Sequence, residues 1–304
     1  MMAIEVHDLV KRYGPIVAVD GVNFQVSSGE FFGFLGPNGA GKTTTIHMLC
    51  TLLKPTSGRI SVGGYDCVAE ALEVRRSIGL VFQETTLDKD LTSYENLLFS
   101  CYLHGMKRRV AEERIGKLLE LFGLTDRRAE LVKRLSGGMK RVLDIARGIL
   151  HRPKILFLDE PTIGLDPQAR LRIWDFLNEL RQREGTTVFL TTHYIEEAEG
   201  CDRVAIIDHG KIIALGRPDE LKQTIAGEVI QIRTTNDAHF EEEIGRMLKL
   251  PVRRTEEGIF FAIQSGETVL PLLYKHFGEQ IISTNINRTS LNEVFLQLTG
   301  REIR

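Results

Sequence analysis

One segment near the amino terminus has the residue types and spacing of a phosphate-binding loop: Gly36-Pro37-Asn38-Gly39-Ala40-Gly41-Lys42-Thr43-Thr44. It follows an apolar run at 31–35 and precedes a helical pattern over 42–53, which is the context that such a loop requires. Its glycines let backbone N–H groups approach phosphate oxygens, and the helix terminus adds a positive field. In such a loop Lys42 contacts the β- and γ-phosphates, and the Thr43 hydroxyl binds Mg²⁺. The alternative is a glycine-rich turn that matches by chance, but the strand before it and the helix after it favour the phosphate site.

A second segment carries two carboxylates at the end of an apolar run. Residues 155–158 predict a buried strand that ends at Asp159, and α/β sheets bind ligands at the carboxyl ends of their strands. Asp159 can hold Mg²⁺, directly or through water, and Glu160 can then polarise a water that attacks the γ-phosphate. Alternatively, Asp159 and Glu160 only cap and turn the chain, an interpretation that the phosphate loop upstream disfavours.

The third segment is Leu135-Ser136-Gly137-Gly138-Met139-Lys140-Arg141. Ser136 can cap the helix that follows, and Gly137 and Gly138 allow backbone N–H groups to come close to an anion. On its own this segment is better explained as a capped helix. Together with the other two segments it indicates a second contact to phosphate.

These segments, together with Gln83, Gly164-Leu165-Asp166 and His193, occur in the order and at about the spacing found in ATP-binding cassette (ABC) transporter ATPases. The chain resembles this family over roughly residues 3–225, and the ordered set is far more specific than any single motif. The resemblance implies ATP as the substrate, Mg²⁺ as its metal, and ATP hydrolysis that is coupled to transport across a membrane.

The resemblance also implies roles for residues outside the three segments. Tyr13 corresponds to the aromatic residue that stacks on adenine, although it could instead pack within a hairpin. Gln83 corresponds to the glutamine that contacts Mg²⁺ or water and senses the transport partner. His193 corresponds to the histidine that contacts the γ-phosphate, with a purely structural histidine as the alternative. Asp166 corresponds to the residue that links the two active sites of a dimer.

The sequence departs from the family pattern at one position, because Met139 stands where the signature has glutamine. The contacts expected of Ser136, Gly137 and Gly138 do not depend on that side chain, but the resemblance implies no side-chain role for Met139. Met139 with the two basic residues after it resembles a branch of exporters that move drugs, lipids or polysaccharides through a separate membrane subunit. Segments 91–97 and 291–300 resemble the antibiotic-resistance members of that branch.

The sequence holds one phosphate loop and one signature, which in the family face different nucleotides. The resemblance therefore implies that a complete site takes its phosphate loop from one chain and Ser136, Gly137 and Gly138 from another. We expect a homodimer that closes head-to-tail around two ATP molecules with two-fold symmetry. Coupling follows because ATP and its products bind the closed state with different affinity. The helical segment is expected to pass the motion to a separate membrane-spanning permease subunit.

Other functions are compatible with parts of the pattern. A non-transport ATPase of the same superfamily would act on ribosomes or DNA, but such proteins have paired cassettes or long coiled coils, which are not found in this sequence. A regulatory protein that binds ATP without hydrolysing it is disfavoured because Glu160, Gln83 and His193 are all present. A kinase or GTPase is disfavoured because no Asn-Lys-x-Asp guanine motif occurs.

The elements that must position these residues change in character along the chain. Residues 3–9 and 17–26 have the pattern of an antiparallel hairpin layer. From Phe31 onward short apolar runs alternate with helices, which predicts a mostly parallel sheet covered on both faces. Residues 94–150 are nearly all helical in pattern, and a helical subdomain is expected at about 86–150. The fold class predicted for 1–225 is α/β, a P-loop NTPase core of the ABC ATPase type with an antiparallel β layer and a helical insertion.

The pattern changes again after about residue 224. The predicted order over 226–304 is strand, helix, strand, strand, helix, strand, which fits a small α+β domain of ferredoxin-like topology. This C-terminal domain is either a regulatory or dimerisation domain or a small folded extension without a ligand. The sequence leaves both interpretations open.

Composition and charge exclude several classes of protein. The 304 residues include 39 Lys and Arg against 41 Asp and Glu, a net charge of −2, and 42% are hydrophobic. A near-neutral chain is a poor general polyanion binder, so no nucleic-acid partner is expected. No run approaches the ~20 apolar residues of a membrane-spanning helix, and residues 1–9 lack a signal-peptide core. We expect a cytoplasmic protein that lies peripherally on the inner face of the cell membrane. Its cysteines, which form no Cys-x-x-Cys pair, are expected to be reduced and buried: Cys50, Cys67, Cys101 and Cys201.

Overall fold

The computed structural model describes residues 1–223, 228–255, 258–263, 266–288 and 290–300. The chain divides into two compact units, Met1–Leu215 and Gly216–Ile303. The domain boundary predicted after residue 225 falls among residues 224–227, which lie outside the described part of the chain.

The first unit contains two β-sheets together with helices. In chain order its elements are β1 (Met2–Tyr13), β2 (Ile16–Ser27), β3 (Phe31–Leu35), α1 (Lys42–Leu49), β4 (Ser57–Val62), β5 (Tyr65–Asp66), α2 (Ala71–Ser77), β6 (Ile78–Val81), α3 (Ser93–Leu103), α4 (Arg108–Leu121), α5 (Gly137–Ile149), β7 (Ile155–Asp159), α6 (Pro167–Glu184), β8 (Thr187–Thr192), α7 (Ile195–Glu199), β9 (Arg203–Asp208) and β10 (Lys211–Gly216).

The larger sheet has the strand order β10-β9-β3-β8-β7-β6. Strand β3 pairs in parallel with β8 and β9, and β7 pairs in parallel with β8 and β6. Every residue of β3, β7 and β8 is buried, which explains why these strands read as continuous apolar runs rather than alternating ones. Parallel strands end at the same edge of a sheet, so the segments that follow β3, β7 and β8 meet there. The predicted parallel sheet is confirmed.

The second sheet is antiparallel, with the order β2-β1-β4-β5. It shares a core with the parallel sheet, because the ring of Phe24 on β2 lies 5.5 Å from Phe32 and 5.9 Å from Phe189. The Phe189 ring also contacts Phe34 and Phe157. Aromatic pairs of this kind stabilise a fold by about 0.5–1.5 kcal/mol each beyond the burial of their area. The hairpin of β1 and β2 was predicted from the sequence, whereas β4 and β5 were not.

Helices α3, α4 and α5 form the predicted helical insertion. Helix α3 begins with a capping box, in which Thr92 and Glu95 satisfy each other's backbone N–H groups. The three helices share a core that includes the buried side chains of Leu97, Ile115 and Leu143. This core explains the leucine spacing that identified the segment as helical.

The second unit has one sheet, and its elements are α8 (Pro218–Gln223), β11 (Glu228–Thr234), α9 (Asp237–Leu248), β12 (Arg253–Thr255), β13 (Gly258–Ile263), α10 (Gly266–Phe277), β14 (Ile281–Arg288) and α11 (Leu291–Thr299). The strand order is β12-β13-β11-β14, and every pairing is antiparallel. Side chains of β11, α9, β13 and α10 form its apolar core. This strand order, with a helix after the first and third strands of the sheet, is the ferredoxin-like topology predicted from the sequence.

The described residues form no helix that is both long enough and apolar enough to cross a membrane. The four cysteines are buried and unpaired, as predicted. Burial raises the pKa of Cys67 to about 12, so this thiol stays protonated at neutral pH.

Candidate functional site

The phosphate loop connects β3 to α1 and depends on glycine at two positions. A Cβ atom on Gly36 would lie 2.3 Å from the carbonyl oxygen of Ile207. Gly41 has a φ of 107°, and a Cβ atom there would lie 2.5 Å from the carbonyl oxygen of Ala18. A side chain at either position would displace the backbone that faces it, so the tight path of the loop requires both glycines. The outer part of the loop is open, since Asn38, Gly39 and Thr43 are exposed.

The Lys42 side chain is buried at the centre of the site. Its Nζ donates to the carbonyl oxygens of Gly36 at 2.8 Å and Pro37 at 3.1 Å, and it lies 3.1 Å from Oε1 of Glu160. A buried ammonium group is destabilising unless it is paired and hydrogen-bonded, and these three oxygens supply both kinds of partner. The charge is therefore fixed beside the loop in which phosphate is expected to bind.

Asp159 ends β7, and its carboxylate faces two threonines. Its Oδ1 accepts a hydrogen bond from the Thr191 hydroxyl and lies 3.5 Å from Oγ1 of Thr43. The sequence predicted Thr43 and Asp159 as metal ligands, and the structure brings their oxygens together. The sequence did not identify Thr191, which becomes a neighbour of Asp159 only because β7 and β8 pair in parallel.

The oxygens of Thr43 and Asp159 fit Mg²⁺ that is bound together with a nucleotide. Hydroxyl and carboxylate oxygens are the hard ligands that Mg²⁺ prefers, and in nucleotide sites one or two carboxylates act with phosphates and water. Thr43 is exposed at the outer part of the loop, whereas Asp159 is buried beneath it. The protein therefore contributes one face of such a site and leaves the other to the phosphates.

Glu160 is held in an unusual backbone conformation directly after β7. Its φ is 45°, a region that costs a non-glycine residue roughly 1–2 kcal/mol. Its backbone N–H lies 3.1 Å from both the carbonyl oxygen and the hydroxyl of Thr191. Its Oε1 faces Lys42, and its Oε2 lies 3.2 Å from Nδ1 of His193. Such strain persists where the surroundings fix the residue, which is typical of functional sites.

Three predicted residues lie at the surface of the unit. Tyr13 is 47% exposed, and Nζ of Lys11 lies 5.3 Å from the centre of its ring. Ser136 is exposed and caps α5, since its Oγ accepts a hydrogen bond from a backbone N–H in the first turn. Asp166 caps α6 in the same way, accepting from the N–H of Ala169 at 2.9 Å.

Three further predicted residues, Gln83, Gly137 and Gly138, complete the set. The side chain of Gln83 is exposed, and its backbone carbonyl accepts a hydrogen bond from Arg141 at 3.4 Å. Gly137 is exposed, and Gly138 is half-buried. Met139, the departure from the family pattern, is partly buried and packs against the core of the helical insertion.

A buried carboxylate that was not predicted lies close to the site. Glu197 on α7 accepts a hydrogen bond from the hydroxyl of Thr162 and is 5% exposed. Burial raises the pKa of this carboxyl group. Its neighbour Glu196 is exposed. The two adjacent glutamates differ in burial because their side chains leave α7 in different directions.

Comparison with known proteins gives one matching family and several similar chains. Residues 19–163, which include the phosphate loop and both Asp159 and Glu160, match the family described as ABC transporter. The chain is 42% identical over 309 residues to the daunorubicin/doxorubicin resistance ATP-binding protein DrrA of Streptomyces peucetius, covering 98% of this chain and 92% of that protein. It is 36% identical to the linearmycin resistance ATP-binding protein LnrL of Bacillus subtilis, covering 99% of each. It is 40% identical to the Nod factor export ATP-binding protein I of Rhizobium etli, covering 100% of this chain and 95% of that one.

Two solved structures share the fold. An ATP-binding subunit of an ABC transporter is 31% identical with a TM-score of 0.67, covering 73% of this chain and 92% of that one. A dimeric ATP-binding cassette in a post-hydrolysis state with ADP and Pi is 28% identical with a TM-score of 0.65, covering 70% of this chain and 98% of that one.

Proposed function

The chain belongs to the ATP-binding subunits of ABC transporters, and from that premise we propose that it powers export of a drug, lipid or polysaccharide. Its membership confirms the resemblance predicted from the motifs, and with it ATP binding and ATP hydrolysis. The proposed class of cargo is supported by the similar proteins, of which two are named for resistance to daunorubicin/doxorubicin or linearmycin and one for Nod factor export.

The observation that carries the proposed site is the continuous contact from Lys42 through Glu160 to His193. We expect Lys42 to turn from the loop carbonyls to the β- and γ-phosphates when ATP enters the loop. That exchange frees the Glu160 carboxylate to orient a water for attack on the γ-phosphate. His193, next to the other carboxylate oxygen, is placed to contact the γ-phosphate and to hold Glu160 in orientation.

Thr43 and Asp159 would hold Mg²⁺ on the phosphates, with Gln83 contacting the metal or a water from its exposed position. Bound there, Mg²⁺ would neutralise charge that develops on the transferring phosphoryl group. Thr191 contributes by fixing the Asp159 carboxylate, because it donates to the same oxygen that faces Thr43. Removal of the Thr191 hydroxyl would leave that oxygen free to rotate away.

We propose that the working form is a homodimer with ATP between the subunits. The signature segment supports this, since Ser136 and Gly137 are exposed and thus open to a nucleotide held by another chain. A related cassette of the same fold forms a dimer. In that arrangement Tyr13 would stack on adenine from one subunit, and Asp166 would link the two sites.

A transport ATPase needs a membrane partner, and we propose that a separate permease subunit supplies it. The exposed Gln83 and the helical insertion are the parts expected to receive the permease. The protein would then lie on the inner face of the cell membrane, and the second unit, Gly216–Ile303, would act as a regulatory or dimerisation domain.

Replacement of the proposed base tests this function. Glu160→Gln keeps the shape of the side chain but removes its negative charge, so kcat for ATP should fall about 100-fold or more while ATP still binds. The variant should also accumulate as a dimer with Mg-ATP, which size-exclusion chromatography with light scattering would detect. Glu113→Gln, an exposed change on α4, is the matched control and should retain kcat. Near-normal turnover by Glu160→Gln would contradict the proposed role.

A further inference from the structure

A single arginine outside the assigned roles holds the backbone on both sides of Glu160. Arg141 lies on α5 and is 6% exposed. Its Nε donates to the carbonyl oxygen of Pro161 at 2.6 Å, and its Nη2 donates to that of Asp159 at 3.1 Å. These two carbonyls flank Glu160, the residue whose φ of 45° needs support from its surroundings.

The same guanidinium also holds the segment that carries Gln83. Its Nη1 donates to the carbonyl oxygen of Phe82 and lies 3.4 Å from that of Gln83. Arg141 therefore joins two segments that are far apart in the chain and that follow the paired strands β6 and β7. Arginine suits the position because its planar group presents five N–H donors in a rigid fork, whereas lysine presents one compact ammonium.

The buried charge of Arg141 is compensated from its own helix. Oδ2 of Asp144 lies 4.0 Å from Nη1 of Arg141, and Oδ1 of Asp144 is paired with Arg147 at 2.9 Å. Burial lowers the pKa of Arg141, whereas the carboxylates of Asp144 and Asp159 act in the opposite direction, so the guanidinium stays charged. The guanidinium is buried, faces a carboxylate and contacts four backbone carbonyl oxygens, so moving it would leave buried polar groups without partners. The link between the two segments is therefore stiff.

We propose that Arg141 is a positioning residue for ATP hydrolysis, which fixes the backbone of Glu160 and ties it to the Gln83 segment. A displacement of the Gln83 segment then moves the carboxylate of Glu160 relative to the γ-phosphate. Helix α5 takes part in this movement because it carries the guanidinium of Arg141. This inference rests on the proposed role of Glu160 and adds the residue that sets its place.

The test compares two variants of Arg141 with a matched change on the same helix. Arg141→Lys keeps the positive charge but cannot span four carbonyls, and Arg141→Met also removes the charge. The control is Arg147→Lys, because Arg147 also contacts the Gln83 side of the site, at Thr86, while its carboxylate partner is Asp144. All are made in the full chain, with ATP stoichiometry from titration calorimetry as the check that the chain is folded.

We expect Arg141→Lys to lower kcat by about 10- to 100-fold, the effect of a catalytic group displaced by about 1 Å. The KM for ATP and the ATP stoichiometry should change less than about 3-fold, since the phosphate loop is untouched. Hydrogen exchange should rise together in peptides that cover 82–86 and 159–163. Arg147→Lys should keep kcat near that of the parent and raise exchange only in the first peptide.

The outcomes separate this inference from the proposed function. If Glu160→Gln is inactive and Arg141→Lys turns over ATP like the parent, the positioning role is wrong and the role of Glu160 stands. If Glu160→Gln itself remains active, the proposed function fails whatever the Arg141 variants do. Loss of ATP stoichiometry in Arg141→Met means that this variant does not fold, and Arg141→Lys, which retains a charge beside Asp144, then decides the question.

Discussion

The two units of the chain bury different kinds of side chain. In Met1–Leu215 the buried acidic and basic residues are Glu30, Lys42, Arg141, Asp144, Asp159, Glu160, Glu197 and Asp208. Among the described residues of Gly216–Ile303 the buried side chains are apolar, apart from that of Thr234. Both units enclose a core of the ordinary kind, so the difference lies in what else the first unit encloses.

Buried charges lower the stability of a folded protein and are typical of functional sites. Removing an ion from water costs several kcal/mol, which pairing only partly offsets. The first unit accepts this cost where segments meet at the carboxyl ends of its parallel strands, with Lys42 against Glu160 at 3.1 Å. The second unit shows no buried charge of this kind among its described residues.

The largest predicted effect concerns the core of the second unit. Phe240 is 1% exposed, and its ring packs edge-on against Phe277 at 4.9 Å. Phe240→Ala should destabilise that unit by about 3–5 kcal/mol, the usual cost of removing a buried ring. ATP affinity should stay unchanged, because the residues proposed to bind phosphate, Gly36 to Thr44, belong to the first unit. Differential scanning calorimetry and ATP titration on the full chain measure the two quantities.

The matched change in the first unit is Phe189→Ala, which removes the ring shared by both of its sheets. It should lower the midpoint temperature of the unfolding transition of the first unit and should also weaken ATP binding. If Phe240→Ala weakens ATP binding to the same extent, ATP binding depends on the core of the second unit and the proposed separation is wrong.

The next largest effect is on ATP binding. Lys42→Ala removes the ammonium from the phosphate loop and leaves Glu160 buried without it, so the Kd for ATP should rise about 30-fold or more. This corresponds to a loss of about 2–5 kcal/mol, the range measured when one member of a buried charged pair is truncated. The unfolding transition of the second unit should not move. Lys117→Ala on the exposed face of α4 serves as the control, and equal ATP affinities in the two variants would contradict the phosphate-loop assignment.

The parts of the candidate site that the sequence indicated most directly each lie in one contiguous segment. The loop from Gly36 to Thr44 could be identified because its strand, glycines, lysine and helix follow one another along the chain. Asp159 and Glu160 could be identified because a single buried strand leads to them. The same holds for the ferredoxin-like order of the second unit, in which each element has its own clear periodicity.

Contacts between distant segments were not predicted. Thr191 faces Asp159 because two parallel strands pair in register, which no local pattern specifies. Arg141 stands in a segment that the sequence did single out, but its four carbonyl partners lie at the ends of β6 and β7, elsewhere in the chain. Backbone acceptors carry no residue identity, so composition and spacing give no sign of them. Strands β4 and β5 were missed as well: β4 pairs with β1, which is distant in the chain, and the two-residue β5 pairs with β4.

The smallest predicted effect concerns a buried carboxyl group and its pH dependence. The pKa of Glu197 is raised by burial, so the folded protein holds this proton at pH values where the unfolded chain has lost it. The contribution of this group to stability therefore falls as the pH rises from about 4.3, the ordinary pKa of glutamate, through the raised value. Glu197→Gln is neutral at every pH and escapes this loss. Its stability relative to the parent should increase as the pH rises above about 4.3 and should become constant once the pH exceeds the raised pKa.

The neighbouring Glu196→Gln is the matched control, because Glu196 is exposed on the same helix. Asp144, whose pKa burial also raises, is present in both variants and in the parent, so its contribution cancels in the comparison. Chemical denaturation at several pH values, followed separately for the two unfolding transitions, measures the difference. The pH effect should appear in the transition of the first unit alone, because no carboxylate of the second unit whose exposure is described is buried. A pH-dependent difference in the second transition would contradict the separation of buried charge between the units.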